Sequence, residues 1–383
     1  MKHSTMVVTV ALFLLSRHAA GQVNKLIQKA GDGTPEYRAC VQASYRRLQI
    51  RTSIHETRPE KASGLRLGIY QAQAASGEGA TAENMDRLAR AVLTAKQYKV
   101  QLLAFPELYV PGYTLSPEEA RNVAEFQDGA SITRAREIAK VNAMALLVPY
   151  AEKAKDADGT LKYYDSIAII DEHGTLLDSY RKTHLYGQQE RDNWTVGDNT
   201  YRVWPLHDFP VGVLNCYECE FPELSRILAL RGAKLIVGPT AADNYYRLPN
   251  GQRSKVPYPD VAKRLFPAYA YANNVFFAYA NRCGYETRAG DVWHYRGNSM
   301  VCGPHGDVLV AAAHQQDTLL IADCVPAHYG MTHPAPDYFY LRDRRPEMYQ
   351  PLTSREAEFL NMPSTQITPE TRFLNRTSSY PEK

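Results

Sequence analysis

From Leu65 onward, short apolar runs alternate with longer stretches whose apolar residues recur every three or four positions. LRLGIY (65–70) has period two and predicts a strand. Met85, Leu88, Val92 and Ala95 then share one face of a helix, with Thr81 as its expected N-cap. VQLLAF (100–105) returns as a strand and closes a β-α-β unit. Next come a helix over 132–143 and strands over 145–150, 163–170 and 175–181, with a hairpin signal at DEHG (171–174). A second β-α-β unit runs through 211–215, 222–231 and 234–237, and Gly232 stops its helix. A helix over 259–273 and a strand over 275–281 follow. The last strands cover 299–303, 307–313 and 318–323, with a tight turn at PHG (304–306). Mixed alternation and hairpins favour an α/β fold with a helix-covered mixed sheet over a closed barrel. One domain over 64–350 is the simplest account. Residues 22–63 read as an N-terminal extension, Pro, Arg and Tyr dominate from 326, and 351–383 reads as a C-terminal arm.

Composition narrows the class. The chain has 383 residues, 44% hydrophobic and 22% charged, as in ordinary soluble enzymes. A net charge of +3 with no basic block argues against a nucleic-acid partner. MVVTVALFLL (6–15) follows Lys2 and His3 and precedes AAG (19–21), so residues 1–21 resemble a secretory signal. The run is too short to span a bilayer. No acidic residue occurs before Asp32, which fits a mitochondrial presequence as well; a cytoplasmic location is the third option. Asn193 and Asn375 open Asn-x-Thr sequons, which matter only on a secretory route. The six cysteines, Cys40, Cys216, Cys219, Cys283, Cys302 and Cys324, are too scattered for a disulfide framework.

Three segments carry candidate chemistry. In VLNCYECE (213–220) an apolar strand leads into Cys216, and Pro222 starts a helix soon after. A thiol at such a turn is expected near helix N–H groups that favour the thiolate. Cys216 and Cys219 also form a Cys-x-x-Cys, which keeps a dithiol oxidoreductase open. Glu107 ends an apolar strand before LYVPGY (108–113), where desolvation would raise its pKa toward that of a general base. Lys182, in YRKTH (180–184), is an ammonium at a strand end, suited to an oxyanion. His184 ranks below it, as a packing or positioning residue. Glu190 reads as a loop charge on its own.

Together FPELYVPGY (105–113), YRKTHLYGQQER (180–191), LNCYECEFPELSRILALRGAKLIVGPTA (214–241), AYAYANNVFFAYANRCG (268–284) and YLRDRRPEMY (340–349) resemble the nitrilase superfamily of carbon–nitrogen hydrolases. The resemblance covers about residues 65–350. It implies a four-layer αββα sandwich that pairs into a homodimer or larger oligomer, with no metal and no organic cofactor. It implies a catalytic set of Glu107, Lys182 and Cys216, with Glu190 matching a second glutamate of many members. In the implied reaction Glu107 takes the thiol proton and Cys216 attacks an amide carbonyl. Lys182 and the Tyr217 backbone N–H hold the oxyanion, and Tyr113 lies on the substrate side. Cys-Tyr-Glu after the nucleophile turn and the DRRPEMY tail resemble R-stereoselective bacterial amidases acting on small linear carboxamides. N-carbamoyl amide hydrolases of the carbamoylputrescine or ureidopropionate type share these groups and are the near alternative. A catalytically idle scaffold is a further one.

Overall fold

The computed structural model describes residues 48–354, apart from 199, 247–251, 289–290, 314–315, 334 and 336. The signal-like segment, Cys40, Asn375 and the arm beyond residue 354 lie outside the described residues. The strands begin with β1 (Gln49–Ser53), β2 (Leu65–Gln71), β3 (Leu102–Ala104), β4 (Ala145–Lys155), β5 (Leu161–Ile170) and β6 (Leu176–Arg181). They continue with β7 (Val203–Leu206), β8 (Phe209–Val213), β9 (Leu235–Thr240), β10 (Phe276–Asn281), β11 (Cys283–Arg288) and β12 (Asp291–Arg296). β13 (Met300–Cys302), β14 (Val308–Ala311) and β15 (Thr318–Cys324) complete them. One sheet has the order β1-β15-β2-β3-β4-β5-β6, a second β14-β13-β10-β9-β8-β7, and β11-β12 is a separate hairpin.

Period-two patterning makes two faces on each strand, and in the central strands both are apolar. In β2, Leu65, Leu67 and Ile69 join Val211, Val213, Leu235, Val237, Phe276 and Ala278 of the second sheet in one buried cluster. That cluster is the layer between the sheets. Tyr70 on the other face of β2, with Leu103, Leu146 and Val148, packs under α1 (Ala80–Gln97) and α3 (Ala130–Asn142) through Leu88, Val92, Ile132 and Ala135. The second sheet is covered by α5 (Pro222–Leu230) and α6 (Val261–Asn273). Leu228 seats against Gly212 so closely that a Cβ there would stand 2.9 Å from its Cδ1. Phe266 of α6 stacks on Phe277 with ring centroids 4.7 Å apart. The layers are α, β, β, α. The central strands β2, β3, β9 and β10 are buried on both faces, which is why they read as near-continuous apolar runs.

The differences from the sequence reading have local causes. α1 begins at Ala80 after Gly79, whose left-handed backbone (φ 77°) opens it without a side-chain cap, so Thr81 lies inside the first turn. A short helix, α2 (Pro117–Val123), starts with a capping box: the Ser116 hydroxyl accepts the Glu119 N–H at 3.1 Å and Glu119 accepts the Ser116 N–H at 2.7 Å. Another, α4 (Gly187–Asn193), holds Glu190 on a helix rather than in a loop. Gln49–Ser53, inside the stretch expected to be an extension, is an edge strand paired in parallel with β15. The described residues group into two compact units: those of Met1–Asn244 with Pro259–Thr332, and those of Tyr245–Tyr258 with His333–Lys383. In the second unit, Pro346–Met348 and Gln350–Leu352 are short 3-10 turns. Asn193 is buried and its amide donates to the Leu115 carbonyl at 2.8 Å, so the folded protein presents no free nitrogen at that sequon. No helix among the described residues is long and apolar enough to cross a membrane.

Candidate active site

β3 ends at Ala104, and the chain turns through Phe105 and Pro106 to Glu107, which is fully buried. Leu108 takes a left-handed backbone (φ 44°), so this turn is held rather than relaxed. What holds it is Arg282, directly after β10. Its Nε donates to the Glu107 carbonyl at 2.9 Å and its Nη2 to the Leu108 carbonyl. Its partner Glu286 accepts the Tyr113 N–H at 3.1 Å and the Thr114 N–H at 2.8 Å. One buried ion pair therefore grips both ends of the 107–114 loop. The sequence reading quoted Arg282 within a family-like block and assigned it no role.

Lys182 follows β6, and its N–H donates to the Asp165 carbonyl at 2.9 Å. Its ammonium lies 2.5 Å from Glu107 Oε1, 2.8 Å from Glu190 Oε2 and 3.6 Å from Asp165 Oδ2. Those three carboxyl groups have oxygens within 4.8 Å of one another. Such a cluster attracts a cation, and the Lys182 ammonium already fills that place. Burial alone would lower its pKa, but the Glu107 and Glu190 carboxylates outweigh burial and hold it well above the usual value. Glu190 is itself pushed up, because burial exceeds the pull of Lys182. Glu190 also accepts the Tyr113 hydroxyl at 2.6 Å and the Tyr186 N–H at 2.7 Å. Tyr113, expected on the substrate side, thus turns its hydroxyl to Glu190; burial and that carboxylate raise its phenol well above the ordinary value.

β8 delivers Cys216 after Leu214 and Asn215. Cys216 has φ 50°, a left-handed conformation that a non-glycine residue adopts only under constraint. A single 3-10 turn, Cys216–Glu220, separates it from α5, so the thiol does not sit at an α-helix N-terminus as expected. The thiolate is not favoured either. Burial, then the Glu107 carboxylate, push the thiol well above its ordinary pKa, against a smaller opposing effect of Lys182. Glu107, Lys182 and Glu190 all act electrostatically on this sulfur. A thiol of that kind needs a base, and Glu107 is the carboxylate with the largest influence on it.

Glu218 ties the thiol turn to the lysine segment. It accepts the Tyr180 hydroxyl at 2.6 Å, the Thr183 N–H at 2.6 Å and the Asn215 N–H at 2.7 Å. Glu218→Ala strands these buried donors. At about 1–3 kcal/mol per unsatisfied group, we expect a loss of about 3 kcal/mol or more. A urea unfolding midpoint within error of the parent would show the bridge to be dispensable.

The remaining candidates separate. The His184 ring packs on Phe221 with centroids 4.5 Å apart, and its Nδ1 meets the Thr183 hydroxyl at 2.7 Å, a packing role. The Tyr217 ring lies against Tyr186 and Phe221 at 5.3 and 5.0 Å. Cys219 is buried against Gly238, where a Cβ would stand 2.5 Å from its sulfur. Burial and Glu218 push its thiol well up, whereas dithiol redox sites depress a thiol pKa. Asp165, on β5, was not anticipated. Its signal is a carboxylate in phase with Ile167 and Ile169, which point between the sheets.

The carbon-nitrogen hydrolase family model matches residues 66–333. This chain belongs to that family. A hydrolase from the pqqF 5' region of Pseudomonas protegens is 33% identical over 76% of this chain and 93% of its own length. An N-carbamoylputrescine amidase from Solanum lycopersicum (72% of this chain, 91% of its own) and an (R)-stereoselective amidase from a Pseudomonas species (73% and 92%) are each 30% identical. Among solved structures, a double mutant of the amidase from Nesterenkonia sp. AN1 in complex with acrylamide superposes with a TM-score of 0.60. It is 28% identical and covers 77% of this chain and all of its own, 100%. As a carbon-nitrogen hydrolase with amidase relatives, the chain is an enzyme acting on C–N bonds other than peptide bonds, built on the αββα fold that its sequence suggested.

Proposed function

We propose that this carbon-nitrogen hydrolase is a thiol amidase that converts small linear carboxamides to a carboxylic acid and ammonia through a thioester on Cys216. The observation that carries the reading is the fully buried Lys182 ammonium bonded to the Glu107 carboxylate at 2.5 Å, in a chain of the carbon-nitrogen hydrolase family whose strand β8 leads into Cys216. Glu107 accepts the thiol proton as the sulfur attacks the carbonyl carbon. Lys182 and the Tyr217 backbone N–H stabilise the oxyanion. Collapse breaks the C–N bond, and the proton on Glu107 passes to the leaving nitrogen as ammonia forms. Glu107 then takes a proton from water, whose oxygen attacks the thioester. The C–S bond breaks, the acid leaves and the proton returns to sulfur. Glu190, steadied by Tyr113, keeps Lys182 oriented.

The test is ammonia release from a panel of short aliphatic and aromatic carboxamides, run beside matched N-carbamoyl amines. Ammonia with stoichiometric carboxylic acid, and an acyl adduct on Cys216 by mass spectrometry, is the expected result. Turnover confined to N-carbamoyl compounds, with carbon dioxide released, would move the chain to the reading that its plant relative suggests. Inertness toward both sets would remove the amidase reading.

A further inference from the structure

Three carboxyl groups and one ammonium share a fully buried space around Lys182. If all three were ionised, two negative charges would lie uncompensated in a low-dielectric site, at a cost of several kcal/mol each. The hydrogen bonding shows where a proton is missing. Glu107 Oε2 and Asp165 Oδ2 are both buried without a hydrogen-bond partner. Glu107, Asp165 and Glu190 have oxygens within 4.8 Å of one another, and two orphaned acceptors in one such cluster are what a carboxylic acid donating to a carboxylate looks like when its proton is not counted. The other Asp165 oxygen, Oδ1, accepts the Asn215 side-chain N–H at 2.9 Å, as a carbonyl oxygen would.

We infer that Asp165 is held as a neutral carboxylic acid whose O–H donates to Glu107, which makes it a positioning residue for the base of the amidase reaction. The consequence for Lys182 is direct. An ammonium has three donors. Glu107 and Glu190 take two of them. An ionised Asp165 would draw the third; a neutral one, 3.6 Å away, leaves it for the substrate oxygen. The charged and titratable groups around Asp165 agree. Glu107 comes from the loop after β3, Lys182 from the end of β6, Glu190 from α4 and Cys216 from the turn after β8. Burial, then Glu107, raise Asp165 well above the ordinary carboxyl range, and Lys182 does not offset them.

The inference rests on the amidase reading for its catalytic meaning, so the experiment includes a readout independent of turnover. Protein labelled with carboxyl-13C aspartate is examined by infrared spectroscopy at neutral pH, as parent and as Asp165→Asn. A protonated-carboxyl stretch present in the parent and absent from the variant is expected; its absence from the parent overturns the neutral state. Asparagine is also neutral and keeps an N–H donor. Asp165→Ala, which lacks the donor, is therefore expected to lower kcat about 10-fold or more with KM little changed, and Asp165→Asn to recover most of that loss. An asparagine variant no better than the alanine one, both with the parent's near-ultraviolet circular dichroism, overturns the positioning role. A parent inert on every amide defeats the amidase reading instead, and the infrared band still decides the state of Asp165.

Discussion

Cys216→Ala is expected to bring amide hydrolysis to background, a fall in kcat of about 10⁴-fold or more. The sulfur is the one group in the site that can form the thioester. Lys182 and the oxyanion donors remain, but hydroxide would have to replace a tethered nucleophile. Folding should change little: the substitution removes a single sulfur atom, and the turn that carries it is fixed by Glu218 and its donors. Ammonia release at saturating amide measures the effect, and the thermal midpoint serves as the control. Residual kcat within about tenfold of the parent would remove the sulfur from the chemistry.

Lys182→Ala should damage both activity and stability. It removes the cation that Glu107, Glu190 and Asp165 surround, and breaking a buried pair from one side costs about 3–5 kcal/mol. The cost has a pH signature. Asp165 and Glu190 are already raised in the folded protein by burial and by neighbouring carboxylates, with Lys182 opposing. Without the ammonium they rise further. Above pH ~4 the folded variant then binds more protons than the unfolded chain, whose carboxyls ionise near their ordinary values. Stability therefore falls as pH rises from that point toward the raised pKa values. The parent shares the slope that comes from its own raised carboxyls, so the gap between parent and variant should widen only above the parent's raised Glu190 pKa, where the variant still holds that proton, followed by urea midpoints up to pH ~8. A gap that stays constant would mean that Lys182 does not compensate these carboxyls.

Glu107, Lys182 and Cys216 stood out as candidates because each is a polar residue one to three positions beyond a strand, where a sheet must surrender its chain to a loop. Glu190 was harder. GQQERDN has too few apolar residues to announce a helix, and its burial comes from contacts with Tyr113, Tyr186 and Lys182. Asp165 and the Arg282–Glu286 pair escaped for a related reason. A charged residue in or beside a strand reads as solvated until a second sheet is known to cover it. The β11-β12 hairpin, rich in charged and aromatic residues, carried no apolar alternation to betray it. Gln49–Ser53 is likewise polar and joins the sheet only because the β15 edge needs a partner.

The sequence by itself determined the two β-α-β units, the apolar faces of a helix-covered sheet, and the family-like segments around the thiol, the amine and the carboxyl, whose resemblance implied the sandwich. These are local matters of period, turn chemistry and residue type. Tertiary structure alone decided the charge states. Whether a carboxyl is ionised depends on its burial and on neighbours that are distant in the chain: Glu107 and Lys182 are 75 residues apart, Asp165 and Asn215 50. It is this long-range packing, burial first and then the Glu107 carboxylate, that pushes the Cys216 thiol up where a lowered one was expected.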